Sequence, residues 1–233
     1  IEMKIIAIIP ARSGSKGLPD KNIKIVCGRP LIDYTIKAAI DSECFETIMV
    51  STDSKRYAEI AMECGADVPF MRSNTTSGDA AGSWDVVREI LKNYEEKMGI
   101  IYDYVALLQP TSPLRSAKDI KAAVRMLDME HVNSVVSVTE TEHPIQWCFP
   151  LPTDCSMSEY AKSPYNNVRR QELKKHYQEN GAIYLVSANK ILSNNYNLYK
   201  DKCYAYIMPR ERSIDIDSKM DLIVLEAIIS GSV

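Results

Sequence analysis

The 233-residue chain is poor in the residues that build metal and redox centres. It has three histidines and six cysteines (Cys27, Cys44, Cys64, Cys148, Cys155 and Cys203), and no two cysteines form a C-x-x-C pair. That scatter argues against a zinc site or a disulfide framework and fits free thiols in a reducing compartment. Long apolar runs are missing too: nothing approaches the ~20 residues needed to span a bilayer. The opening Ile-Glu-Met-Lys lacks the basic-then-apolar order of a secretory signal, so a cytoplasmic protein with no membrane partner is expected. An excess of positive charge is also absent. The net charge of −3 and pI of about 5.7 speak against a general nucleic-acid binder. They leave room for basic groups gathered at one anion site.

Three phosphate or nucleophile signatures are absent as well. No Walker A loop occurs, because Gly17-Leu18 follows Lys16; G-x-G-x-x-G is missing; and G-x-S-x-G fails at Ser13, two residues before Ser15. No internal repeat and no low-complexity tract is present.

What remains is an ordinary globular balance, 45% hydrophobic and 25% charged, enough for one sizeable core. Strand and helix signals alternate over the first 140 or so residues. Short apolar runs at 4–10, 47–52, 68–71, 104–108 and 134–138 read as strands. Segments 30–42, 55–64, 83–97 and 117–129 carry apolar residues at helical spacing. The alternation predicts an α/β fold with a doubly wound, mostly parallel sheet, in which ligands bind beyond the carboxyl ends of the strands. From 139 to about 178 the chain turns polar and loses its period, with prolines at 144, 150, 152 and 164. So long an irregular stretch inside one domain (1–233) reads as an excursion with its own task. Strands at 182–186 and 204–208 and a helix at 219–229 close the chain.

The first loop, Ala11–Asn22, places Gly14 and Gly17 among Arg12, Lys16 and Lys21 directly after a buried strand. Glycines let the backbone offer N–H groups to phosphate oxygens while the cations neutralise charge. A solvated basic surface loop is the alternative; the position after the first strand favours phosphate. A second loop, Gln109-Pro110-Thr111-Ser112-Pro113-Leu114-Arg115, pairs stiff prolines with directional polar groups. It suits recognition of a base or sugar, and equally a rigid loop leading to a helix N-cap at Ser116. In Ser213-Ile214-Asp215-Ile216-Asp217, an extended chain would point Asp215 and Asp217 to one face. Such a pair suits Mg²⁺, with Mn²⁺ as second candidate; the alternative is that Asp217 N-caps the helix near Lys219, and both roles can hold together, with Asp215 the cleaner test of the metal.

With these loops in place the chain resembles the acylneuraminate cytidylyltransferases, or CMP-sialic acid synthetases, over essentially its whole length. The resemblance rests on IIPARSGSKGLPDKN at 8–22, VSTD at 50–53, LLQPTSPLR at 107–115, RRQ at 169–171, NGAIY at 180–184 and SIDID at 213–217. It implies a nucleotide-diphospho-sugar transferase-like fold with a dimerisation excursion at 139–178, and a homodimer with shared sites. It implies CTP and a nine-carbon nonulosonic acid as substrates. Arg12, Gly14, Lys16, Lys21, Asn22, Arg72, Ser83 and Gln109 would hold the nucleotide. Gln109, Thr111, Ser112, Gln146, Arg169, Asn180, Ala182 and Tyr184 would line the sugar pocket, with Asp215 and Asp217 on the metal. Arg12, Lys16 and Arg169 would be catalytic, in a direct displacement at the α-phosphorus of CTP with no nominated histidine base. Ala81, Gln146 and the Gln178-Glu179 pair depart from residues common in relatives, where a serine, a lysine and an arginine stand. The last two leave the sugar open between N-acetylneuraminate and a relative such as legionaminate. Rival expectations are an eight-carbon acid such as Kdo, a non-catalytic nucleotide sensor, and a glycosyltransferase.

Overall fold

The computed structural model describes residues 3–14, 17–73, 76, 82–129, 132–193 and 197–231. Its centre is the β-branched run Ile5–Pro10 (β1), flanked in parallel by Thr47–Ser51 (β4) and Tyr104–Leu107 (β5). Alternate side chains of β1 enter two different cores, as a strand buried on both faces must. Ile5, Ala7 and Ile9 pack with Ile32, Ile36 and Ala39 of Leu31–Ser42 (α1) and with Tyr57 and Ala61 of Lys55–Glu63 (α2). Ile120 and Ala123 of Ala117–Arg125 (α4) join the same core. Ile6 and Ile8 face the opposite way, onto Val86, Val87, Ile90 and Leu91 of Ser83–Met98 (α3).

The sheet runs β4-β1-β5-β7-β6-β8, with Tyr177–Ser187 (β7), Ser134–Glu140 (β6) and Cys203–Ile207 (β8). β7 is antiparallel to both neighbours, while β6 and β8 pair in parallel. The expected mostly parallel sheet is present, with one reversed strand that the periodicity does not disclose. That reversal matters for function. The amino-terminal end of β7 lies at the same edge as the carboxyl ends of β1, β4 and β5, because Leu107 at the end of β5 sits opposite Tyr184.

β7 also begins earlier than expected and carries an irregularity: Val136 pairs with Tyr184, yet Val138 pairs with Glu179. Gly181 turns through φ +71° within this bulge. The Ser137 hydroxyl bridges it, accepting from Ile183 N at 2.7 Å and donating to Asn180 Oδ1 at 2.6 Å.

The expected strand at 68–71 does not form; only Met49 and Asp67 make an isolated bridge. Pro69 removes a ladder donor, and Phe70 packs edge-on against Tyr94 instead. A small hairpin, Ile25–Val26 (β2) with Arg29–Pro30 (β3), and a short helix Ala188–Leu192 (α6) had no clear sequence signal. In the excursion β6 extends to Glu140, one helical turn spans Ser158–Ala161 (α5), and 3₁₀ turns form at Ile145–Trp147 and Arg170–Glu172. Lys219–Ser230 (α7) closes the chain, burying Leu222 and Leu225 against Leu18, Val26, Leu31 and Ile216. Among the described residues no helix is long and apolar enough to cross a membrane.

Candidate active site

The first loop is held from three sides. Asp53, at the carboxyl end of β4, accepts Ser13 N at 2.9 Å and the Ser13 hydroxyl at 3.2 Å. The buried Tyr57 of α2 donates to Asp20 at 3.0 Å, where the chain turns through a left-handed φ of 53°. Asn22, itself buried, donates to the Arg12 carbonyl at 3.3 Å. The pinned ends leave Gly14 in open space, where even a Cβ would touch nothing. Lys16 lies outside the described residues, as does Ala81.

Arg72 is fixed to β4 through Ser51, by Nε to the hydroxyl and Nη2 to the carbonyl, both at 3.2 Å. Burial lowers its pKa, opposed by Asp53, and the neighbouring Arg12 adds to the lowering. Two guanidinium groups therefore share one neighbourhood, an arrangement that a bound anion stabilises. Ser83 opens α3 and is exposed at its first turn.

The carboxylate segment docks onto both loops. Ile216 is buried and donates its N–H to the Thr111 carbonyl at 2.8 Å, while Asp215 and Asp217 on either side of it are exposed. Lys21 Nζ lies 2.9 Å from Asp217 Oδ1, and the Asp217 carbonyl lies 3.4 Å from where a Gly17 Cβ would be. Ser218, not Asp217, caps α7: its hydroxyl accepts Asp221 N, and Asp221 completes the capping box. The N-cap alternative for Asp217 is thereby removed. Desolvation raises the Asp215 pKa, the charge on Asp217 adds to the rise, and a hydrogen bond from Thr111 opposes it. No group of three or more histidine, cysteine or acidic residues placed to hold a metal occurs among the described residues.

Gln109 lies against Gly181: a Cβ there would stand 2.6 Å from its Oε1. The loop beneath is stitched to β7 by Ser112 Oγ donating to the Asn180 carbonyl at 3.2 Å. Arg115, fully buried, donates Nη1 to the carbonyls of Gln109 at 3.2 Å and Ala182 at 2.7 Å. Desolvation brings the Arg115 pKa down to about 9, against the pull of Asp119.

These contacts set how much of each expected sugar-lining residue is exposed. Ser112 and Ala182 have no exposed surface, and Asn180 spends its amide on Ser137, Ser213 and Met208. All three help hold the 109–115 loop against β7. Tyr184 does face the cleft, edge-on to Trp84 and close enough to Asp215 to feel its charge. Gln146 and Arg169 belong to the excursion, Gln146 in its 3₁₀ turn Ile145–Trp147 and Arg169 just before the turn at Arg170–Glu172. Residue-type reasoning missed Asp53, Asp119 and Arg212. Asp119 is buried and paired at 2.7 and 2.9 Å with Arg212, immediately before the Ser213–Asp217 segment. The VSTD motif was the available signal for Asp53.

A sheet edge that gathers cations beside a carboxylate pair, outside the carboxyl ends of parallel strands, defines a nucleotide-handling α/β protein. The sequence model of the family described as Cytidylyltransferase matches residues 6–215, and the chain belongs to that family. It is 40% identical over 219 residues to an N-acylneuraminate cytidylyltransferase of Escherichia coli, covering 94% of this chain and 50% of that protein. The chain thus spans about half the length of that relative. It is 36% identical to a CMP-N,N'-diacetyllegionaminic acid synthase of Legionella pneumophila, covering 97% of both. Among solved structures, a CMP:2-keto-3-deoxy-manno-octonic acid synthetase complexed with CTP superimposes with a TM-score of 0.69. That match has 17% identity, covers 99% of this chain and 100% of the other, and supports the fold alone.

Proposed function

We propose that this chain transfers CMP from CTP to the anomeric hydroxyl of a nine-carbon, sialic-acid-type sugar acid, releasing pyrophosphate. The observation that carries the reading is the convergence of the first loop and the carboxylate pair, joined by Lys21 and Asp217 at 2.9 Å. The relatives named above, similar over nearly the whole chain, supply the substrate class.

In this reading Arg12, Lys16 and Lys21, with the backbone at Gly14 and Asn22, receive the triphosphate. Arg72 and Ser83 lie nearer the ribose and base. Fixed cations aimed at a departing pyrophosphate stabilise charge as it develops and need no reorganisation during the step. Gln109 and Thr111 sit between nucleotide and sugar, and Tyr184 walls the sugar side. Asp215 and Asp217 fit Mg²⁺: both are hard-oxygen donors, and the rise in the Asp215 pKa, due first to desolvation and then to the charge on Asp217, is one a bound cation would offset. Two carboxylates leave most of the shell to substrate oxygens and water; Mg²⁺ bound there would polarise the α-phosphate and lower the pKa of the attacking hydroxyl.

Arg169 and Gln146 stand on an excursion that exposes Ile145, Phe149, Leu151 and Met157. A site that uses them draws them from a second copy, so a homodimer with shared sites is part of the proposal. The free cysteines and the use of CTP fit the cytoplasmic location expected from the sequence.

The test is pyrophosphate release with CTP and Mg²⁺ against N-acetylneuraminate, diacetyllegionaminate, pseudaminate and Kdo, with a chelator control. Release with a nine-carbon acid, abolished by the chelator, is expected. Release with Kdo alone would move the chain to the eight-carbon class, and absence of CTP binding would sink the reading.

A further inference from the structure

Glu179 is a charged side chain that the reaction described above leaves unused. It stands at the amino-terminal end of β7, opposite Val138, just before the bulge at Gly181. Two phenols grip it, one on each oxygen: Tyr184 Oη donates to Oε2 at 2.9 Å and Tyr199 Oη donates to Oε1 at 2.6 Å. Desolvation first, and then the hydrogen bond to Glu179, push the Tyr199 pKa up to about 12 and raise that of Tyr184 as well. Both phenols therefore stay protonated and donate, while Glu179 remains the acceptor.

The position of this carboxylate limits what it can face. Tyr184 ties it to the cleft, since the same ring meets Trp84 edge-on and lies within reach of the Asp215 charge. A cleft that admits a triphosphate and a sugar acid brings two anions together. A fixed carboxylate turned toward either would repel it, and no basic side chain pairs with Glu179 among the described residues. Each of its oxygens keeps lone-pair capacity after accepting one phenol. The partner this chemistry selects is an uncharged donor, the N–H of an acylamino group or a hydroxyl, on the part of the sugar remote from its carboxylate.

We propose that Glu179, oriented by Tyr184 and Tyr199, is a specificity-determining residue that accepts a hydrogen bond from an acylamino or hydroxyl substituent of the sugar acid. The inference rests on the nine-carbon-acid reading. Its test compares wild type with Glu179→Gln and Tyr199→Phe by steady-state kinetics. The sugar is whichever acid the wild type uses best, and thermal melting is followed in parallel. Loss of a charge-assisted bond made to ground and transition states alike raises KM for the sugar about tenfold in Glu179→Gln. It leaves kcat and the KM for CTP within about twofold. Tyr199→Phe, which loosens Glu179 without removing it, raises the same constant about threefold. A sugar KM within twofold of wild type in Glu179→Gln overturns the inference. So does a joint rise in both KM values with a lowered melting temperature, which marks a purely structural role. The wild type is its own control: if it turns over no nine-carbon acid, the reading of the reaction has failed, not the assignment of Glu179 alone.

Discussion

Gly181 shows how a single backbone conformation sets the geometry of a site. Its φ of +71° is one that side chains other than glycine rarely adopt, and an added methyl would stand 2.6 Å from Gln109 Oε1. Gly181→Ala therefore carries two costs, backbone strain and a displaced Gln109, together about 2 kcal/mol. For a chain of this size the melting temperature should drop by roughly 4–8 °C. The maximal rate should fall as well, because a misplaced group between two substrates costs orientation. An alanine variant with unchanged melting and unchanged rate would show that Gln109 does not rest against this residue. The NGAIY segment flagged the neighbourhood, but a sequence carries no φ. For the same reason the bulge that seats Asn180 and Ala182 was not legible: strand periodicity does not disclose where a register breaks.

At the scale of elements, the segment bearing Asp215 and Asp217 takes its position from a neighbouring helix. Asp119, in the first turn of α4, accepts from Ser116 in the capping box, from Tyr206 at 3.0 Å, and from Arg212 in a bidentate pair. Burial opposes its charge, yet the bonds from Arg212, Ser116 and Tyr206 prevail and bring its pKa down to about 2. A folded-state pKa below the ordinary carboxylate value stabilises the fold fully above about pH 4, and that contribution fades as pH falls toward 2. Asp119→Asn should cost about 2 kcal/mol at pH 7, with Arg212 partly exposed and so only partly stranded. Urea unfolding of both proteins at pH 7, 4 and 3 measures this, and the gap between them should narrow at the lowest pH. A gap that stayed constant across the series would mean that the carboxylate is not charged in the fold. Ser116 was legible as a cap because caps are local signals. The Arg212 partner, 93 residues away, was not, because no single-sequence pattern encodes which distant cation meets a buried acid. Most strands were legible for the opposite reason: β1, β5 and β6 are short apolar runs that are largely buried, whereas the proline-bearing 68–71 run failed.

For the whole molecule, the alternation of elements announced the doubly wound sheet. The reversal of β7 stayed hidden, since strand direction depends on the path of the excursion, which has no period to read. The excursion exposes Ile145, Phe149, Leu151, Met157 and Tyr165 and stacks Phe149 on Tyr160 with ring centroids 4.4 Å apart, a concentration of apolar surface that burial against a second copy would stabilise. It also carries Arg169 and Gln146, which makes assembly and catalysis one prediction. Leu151→Glu places a charge on this face at a position 58% exposed, where the isolated fold has no reason to be disturbed. Wild type should sediment as a dimer at micromolar concentration and the variant as a monomer, with an unchanged circular dichroism spectrum. CTP binding should survive in the monomer, because Arg12, Lys21, Asn22 and Arg72 all come from one chain. Turnover should fall at least tenfold, because in the proposed dimer Arg169, which neutralises charge at the reacting end, comes from the neighbour. A wild-type monomer with full turnover, or a monomeric variant as active as its parent, would place the whole site within a single chain and leave the exposed face to another partner.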